Sequence, residues 1–142
     1  MLEDLEVQIE ETAGSIQIGR LPEIKADKIQ MRQLFQNLIS NGLKYRKPDT
    51  APKIFIKYSA NNNGDGFHKI SIEDNGIGFE QKYGVKIFEP FQRLHSDSNI
   101  SGTGMGLYIC KKIVTRHNGT ISAESDLTEG TKITISLPEK QA

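Results

Sequence analysis

"ISIEDNGIGF" (residues 70–79) is the stretch on which the reading of the fold turns. Ile70 and Ile72 alternate with Ser71 and Glu73, a period of two that marks a strand with one apolar face. Asp74 shares the parity of the isoleucines, so its carboxylate points to the side on which they are buried. A carboxylate there is costly unless something donates hydrogen bonds to it. Gly76 and Gly78 follow at once, and glycine tolerates positive φ and lets a ligand approach the backbone. Together these residues describe a pocket with Asp74 as its floor. A buried acceptor suits a ligand offering an N–H donor, such as an exocyclic amine. The competing reading is an Asx turn over Asp74-Asn75-Gly76, common at strand ends. On these residues alone both stay open.

Working outward, a second strand is expected over residues 53–60, joined to 68–74 by the hairpin loop Asn61-Asn62-Asn63-Gly64-Asp65-Gly66. That loop lacks the ligand spacing and terminal glutamate of a calcium site and reads as a turn. Upstream, residues 2–12 pattern as a helix and 15–20 as a short strand broken at Leu21-Pro22. Asp27 is placed to cap a long helix running to Tyr45. Downstream, residues 80–87 read as a short helix and 92–103 as a polar, mobile loop. Residues 104–117 form a second strong helix, with Leu107, Cys110, Ile113, Val114 and His117 on one face and an Asn118-Gly119 stop. Strands over 120–125 and 132–137 close the chain. Helices segregated from hairpin-connected strands give an α+β class: a two-layer sandwich with a mixed, mostly antiparallel sheet covered on one face by helices. No repeat or second domain is visible, so residues 1–142 are read as a single domain.

Bulk composition narrows the function. With 142 residues, 36% hydrophobic and 25% charged, the chain reads as globular. Eighteen basic residues balance eighteen acidic ones, which gives no support for nucleic-acid or membrane-surface binding. The single cysteine, Cys110, cannot form an internal disulfide. No apolar run approaches membrane-spanning length, no secretory leader is read before Leu2, and the two glycosylation-type triplets at Asn99 and Asn118 are read as chance. A cytoplasmic setting is therefore expected.

Three further features could carry chemistry. Asn37, Asn41 and Lys44 sit at i, i+4 and i+7 of the long helix, with Tyr45 at the edge of that stripe. An amide oxygen can ligate Mg²⁺ and a lysine can meet a phosphate as a point charge; taken alone, the stripe reads better as a solvated polar face. Gly102-Thr103-Gly104-Met105-Gly106-Leu107 opens the second helix, where backbone N–H groups and the positive dipole end favour phosphates. It follows no strand, and neither a P-loop nor the signatures of Ser/Thr/Tyr kinases occur. Arg93, at the start of the polar loop, could swing toward a phosphate. His68, His95 and His117 have no metal-ligand spacing and read as strand surface, loop and helix end.

The order of these motifs is similar to a known family. "NLISNGLKY" (37–45), "DNGIGF" (74–79), "IFEPFQRL" (87–94) and "GTGMGL" (102–107), with the closing "GTKITISLP", resemble the ATP-binding catalytic domain of sensor histidine kinases. These are GHKL ATPases with the Bergerat fold, and the wording "FQRLH" and "GLYICKKIV" resembles the phytochrome-like subgroup. The resemblance implies ATP and Mg²⁺ as cofactors. It implies Asp74 as acceptor for the adenine amino group, with Gly76 and Gly78 shaping the adjacent wall. Asn41 would hold Mg²⁺ with Asn37 beside it, Lys44 would contact phosphate, and Tyr45 would pack near adenine or ribose. Gly102, Thr103, Gly104, Gly106 and Leu107 would form the phosphate-side box, with Phe88 and Phe91 anchoring the lid over 92–103 and Arg93 among the transfer groups. Gly42 stands where the family often has Ala, at about 1 kcal/mol of helix propensity. The implied reaction moves the γ-phosphoryl of ATP to a histidine on a separate helical-hairpin domain, and then indirectly to a response-regulator receiver domain. No histidine here has the acidic neighbour of an acceptor: His68 precedes Lys69, His95 precedes Ser96, and His117 precedes Asn118. The phosphoacceptor hairpin and sensor domains are expected to lie outside this chain. The alternatives are another GHKL ATPase or serine kinase, and a non-catalytic nucleotide-dependent interaction module.

Overall fold

The computed structural model describes residues 15–18, 27–45, 47–59, 66–90 and 106–138, the first of these as backbone alone. The expected helix over 2–12, the hairpin loop at 61–65 and the polar loop over 92–103 lie outside the described residues. Five strands form one sheet in the order β1-β2-β3-β5-β4: β1 (Ser15–Ile18), β2 (Lys53–Ser59), β3 (Phe67–Asp74), β4 (Thr120–Asp126) and β5 (Gly130–Pro138). Only β1 runs parallel to its neighbour, and α1 (Lys28–Lys44) fills the crossover that a parallel pair requires. The other pairings are antiparallel. The α+β sandwich expected from the sequence is the fold observed.

α1 begins where expected, because the Asp27 carboxylate accepts the Gln30 N–H at 2.9 Å and so satisfies one orphan donor of the first turn. α2 (Gly106–Arg116) is amphipathic and buries Cys110, Ile113 and Val114. It ends in a Schellman motif: Gly119 N–H donates to Val114 O and Asn118 N–H to Thr115 O, at 2.9 and 3.0 Å. Asn118 takes the left-handed position at φ 61°, while Gly119 lies where a Cβ would run into the Ser136 carbonyl.

Both helices cover the face of the sheet that carries Ile54, Ile56, Ile70, Ile72, Ile133, Ile135 and Leu137. The registers arrange that face in cross-strand rows. Ile121, Ile135, Ile70 and Tyr58 form one; Ala123, Ile133, Ile72 and Ile56 the next; Ser125, Thr131, Asp74 and Ile54 the last. The first two are apolar and the third is polar at its centre.

Two expectations are corrected, and a third residue, His117, sits at the helix end as expected but does more there. The segment read as one helix over 80–87 is two 3₁₀ turns, Gln81–Tyr83 and Lys86–Phe88, separated at Gly84. The Gln81 side chain bonds β4, donating to Ala123 O at 3.1 Å and accepting from Ser125 N–H at 2.9 Å, and this holds the first turn to the sheet. His68 is half-buried rather than plain strand surface, with Nδ1 2.8 Å from the Tyr58 hydroxyl. His117 is buried in the interior. Its Nε2 receives the Asp27 backbone N–H at 3.1 Å, so that nitrogen is unprotonated, and Nδ1–H donates to Ile113 O at 2.8 Å. His117 thus ties the start of α1 to the end of α2, a role its place on the apolar face was compatible with.

Candidate functional site

Asp74 ends β3, the central strand, and the loop behind it is fixed to three different elements. Asn75 reaches back to the start of β2, its Oδ1 accepting Lys53 N–H at 2.7 Å and its Nδ2 donating to Ala51 O at 3.2 Å. Ile77 N–H donates to Tyr45 O at the end of α1, at 2.8 Å. Phe79 N–H donates to Ser125 Oγ on β4, at 2.9 Å. The backbone needs glycines to come this close. A Cβ on Gly76 would run into Tyr45 O and lie 2.9 Å from Asp74 Oδ1. Gly78 has φ +64°, and a Cβ there would overlap the Asp126 carbonyl.

The Asx-turn reading of Asp74 holds, and the carboxyl also points inward. Its Oδ1 accepts Gly76 N–H at 2.9 Å, which is the Asx turn. Yet the carboxyl is also inward and poorly solvated, and burial pushes its pKa from 3.8 up to about 6, against the backbone N–H groups of Gly76 and Thr131 that pull it down. One local turn therefore leaves the carboxyl short of the solvation it would have in water.

α1 meets the same row through a glycine. Gly42 is buried, and a Cβ on it would lie 3.4 Å from Asp74 Cβ and 3.0 Å from Ile54 Cδ1. The helix therefore rests over the Asp74 row, and Asn41, Lys44 and Tyr45 in its last turn are half-buried. Among the described residues the Asn41 and Lys44 side chains form no hydrogen bond or ion pair. Asn37, a turn earlier, meets α2 and hydrogen-bonds the Cys110 thiol. That thiol also donates to Leu34 O at 3.7 Å, and burial pushes its pKa up to about 12.

The other expected residues divide. Phe88 is buried in the core beside α2, Leu107 packs on the core from α2, and Gly106 opens that helix facing open space. Phe91, Arg93, Gly102, Thr103 and Gly104 lie outside the described residues.

Sequence reasoning missed the β4–β5 turn, which abuts the backbone of Asp74 and Gly76. A Cβ on Gly130 would run into the Asp74 carbonyl. Ser125 Oγ donates to Gly130 O at 2.8 Å and lies 2.9 Å from Thr131 Oγ1. The Asp126 carboxylate accepts from Thr128 N–H, Glu129 N–H and the Thr128 hydroxyl at 2.8, 2.6 and 3.0 Å, so its pKa is lowered. Lys47 Nζ donates to Thr128 O and ties this turn to the segment after α1.

A half-buried carboxylate at the end of the central strand, backbone brought close by glycines, and the last turn of α1 thus meet at one end of the sheet. Residues 26–141 match the family described as Histidine kinase-, DNA gyrase B-, and HSP90-like ATPase, and the chain belongs to that family. Its relatives include the phytochrome-like protein Cph1 of Synechocystis, 43% identical over 137 residues, covering 96% of this chain and 18% of that protein. The sensor protein kinase WalK of Staphylococcus saprophyticus is 41% identical over 118 residues, covering 82% of this chain and 18% of WalK. The chain thus spans about a fifth of the length of the curated relatives it matches. Among solved structures, the mycobacterial sensor histidine kinase MprB superposes with a TM-score of 0.80 at 22% identity, covering 99% of this chain and 92% of that one. Full-length ShkA in complex with AMPPNP gives 0.79 at 24%, covering 99% and 28%. The fold is that of histidine kinase catalytic domains.

Proposed function

We propose that this chain is the ATP-binding catalytic module of a two-component sensor histidine kinase. The observation that carries the reading is the convergence of Asp74 with the Asn41–Lys44–Tyr45 end of α1 through the Gly42 contact and the Ile77–Tyr45 hydrogen bond. When bound, Mg-ATP supplies the transferable γ-phosphoryl group together with a neutralising cation.

The chain's own residues do the rest. Asp74 would accept an N–H of the adenine amino group, and Gly76 and Gly78 keep the adjoining wall at backbone height. Tyr45 would pack beside the base or ribose. The Asn41 amide oxygen is a hard donor suited to Mg²⁺, with Asn37 one turn away, and Lys44 brings a compact positive charge to the phosphates. N–H groups of Gly102, Thr103, Gly104 and Gly106 would face the phosphates at the start of α2. Phe88 and Phe91 would anchor the lid over 92–103, and Arg93 would add charge to the transfer step.

The acceptor histidine belongs to another domain in this reading. His68 and His117 are engaged with Tyr58 and with the helix ends, and neither is followed by an acid. A helical-hairpin phosphoacceptor domain would supply both the imidazole and the base, and a receiver domain would take the phosphoryl group afterwards. No helix of the described residues is long and apolar enough to cross a membrane, and a cytoplasmic setting goes with the proposal.

The test is incubation with labelled ATP, with and without the hairpin domain as a separate chain. The isolated chain should bind ATP and stay unlabelled, while the hairpin domain should gain an acid-labile, base-stable phosphoramidate. Transfer will be slow, because covalent linkage normally supplies a high effective concentration. Stable label on the isolated chain would overturn the proposal. Intact ATP binding with no transfer at high concentrations of both parts would favour a non-catalytic nucleotide-dependent module.

A further inference from the structure

A hydroxyl group has one hydrogen to give and two lone pairs to receive. Ser125 Oγ engages all three. The Phe79 N–H, 2.9 Å away, can only donate. The Gly130 carbonyl, 2.8 Å away, can only accept. The serine hydrogen is therefore committed to Gly130 and one lone pair to Phe79. The third neighbour, Thr131 Oγ1 at 2.9 Å, is left a single consistent role: it donates its own hydrogen into the remaining lone pair of Ser125. The order Thr131 O–H, Ser125 O–H, Gly130 O=C is thus fixed in direction.

Thr131 stands between Ser125 and Asp74 in one cross-strand row, and residues directly opposite in an antiparallel sheet share a face. Its link to Asp74 is through its backbone N–H. With its hydroxyl hydrogen turned to Ser125, the Thr131 oxygen is left with lone pairs alone for anything entering beside Asp74.

We propose that Ser125 is a positioning residue for base recognition: by fixing the Thr131 hydroxyl, it makes this end of the pocket acceptor-only, and so favours a purine carrying an exocyclic amine over one carrying a 6-oxo group. An amine brings N–H donors to such a wall. A 6-oxo group brings lone pairs to lone pairs, and a mismatch of this kind rejects a ligand more strongly than a match attracts one. The proposal rests on reading the Asp74 pocket as the nucleobase site, and Ser125 itself need not touch the base.

The experiment is titration calorimetry of the full chain with ADP and with IDP, for wild type, Ser125→Ala, Thr131→Val and the double variant. Wild type should prefer ADP. Ser125→Ala releases the Thr131 hydroxyl to turn its hydrogen toward a 6-oxo group, and the ADP-to-IDP affinity ratio should fall about fivefold or more. In the Thr131→Val background the same change should leave the ratio where it is. Should Ser125→Ala fail to melt cooperatively, Ser125→Cys keeps the size with a poor acceptor and should lower the ratio in the same direction. Equal weakening of both nucleotides by Ser125→Ala, or a ratio shift that persists without the Thr131 hydroxyl, would overturn the proposal alone. Failure of the wild-type chain to bind ADP would overturn the nucleobase reading and the proposal with it.

Discussion

The two ends of the covered sheet face are built from the same strands and solved by different physics. At one end, Ile121, Ile135, Ile70 and Tyr58 line up, and Ile135 is fully buried beneath the helices. Side-chain packing holds that end, and removing area there removes stability. At the other end, Ser125, Thr131 and Asp74 line up beside Ile54, and the order comes from hydrogen bonds of the loop backbone, Ile77 N–H to Tyr45 O and Phe79 N–H to the Ser125 hydroxyl, and from glycines where no Cβ fits. There the polar side chains hold the loop backbone instead of filling a core. In the proposed function, stability and recognition are thus separated along one face, about two rows apart.

That separation can be broken from the apolar side first. Ile135→Ala should lower the unfolding free energy by about 3 kcal/mol, the range of large-to-small core changes, while the folded fraction binds ADP with near wild-type affinity. Chemical denaturation followed by calorimetry below the melting transition measures both. A selective loss of binding would show the rows to be coupled.

Asp74→Asn probes the polar side and should do the reverse. It replaces an acceptor oxygen by a donor and should weaken ADP binding about a hundredfold. Its effect on stability follows from the raised pKa. The folded-state value of about 6 lies above the unfolded value of 3.8, so the folded chain holds the proton more tightly. The associated stability is fully present below about 3.8 and is lost as pH rises through about 6. The apo variant should therefore melt no lower than wild type at pH 7.5, and any gain should vanish near pH 4. Wild-type ADP affinity should decline as pH falls through about 6, and the variant should lack that dependence. A wild-type chain that stabilises on going from pH 4 to 7.5 relative to the variant would contradict the assignment.

The smallest effect is expected where the rows meet the helix. Gly42→Ala should gain up to about 1 kcal/mol of helix propensity, offset by crowding of Ile54 Cδ1, the flexible end of a side chain 3.0 Å from the new methyl. A rise of a few degrees in melting temperature would show that α1 can settle on the Asp74 row without shifting. Destabilisation would show that the helix height over the pocket is fixed by the glycine.

The same parity that drew attention to Asp74 would have found its partners. Ile121, Ala123 and Ser125 alternate inward on β4, and Thr131, Ile133 and Ile135 do so on β5, so two hydroxyls end two apolar faces just as the carboxylate ends a third. A serine or threonine at such a place resembles an ordinary strand end. Only the register, which pairs both with Asp74, makes them part of a site. Local signals read well: the Asp27 cap, the amphipathic α2 and all five strands appear close to where alternation and capping chemistry put them. Tertiary ones did not. That Asn75 pairs with the start of β2, that Gly130 abuts the Asp74 carbonyl, and that His117 joins two helix ends are contacts between residues 22 to 90 positions apart, or set by a register no local pattern specifies. The single helix expected over 80–87 gave way to two 3₁₀ turns because Gly84 and the Gln81 bonds to β4 serve the sheet instead of a helical ladder.

Those Gln81 bonds have a consequence beyond the turn they hold. Among the described residues β4 is the last strand on its side of the sheet, and a terminal strand with open N–H and C=O groups is a template for any other chain that comes alongside. The Gln81 amide offers one donor to Ala123 O and one acceptor to Ser125 N–H, the same pair of bonds an incoming strand would make. One side chain thereby acts as a stopper on that margin, and it does so at the Asp74 end of the sheet, where the Ser125 hydroxyl holds Phe79 N–H.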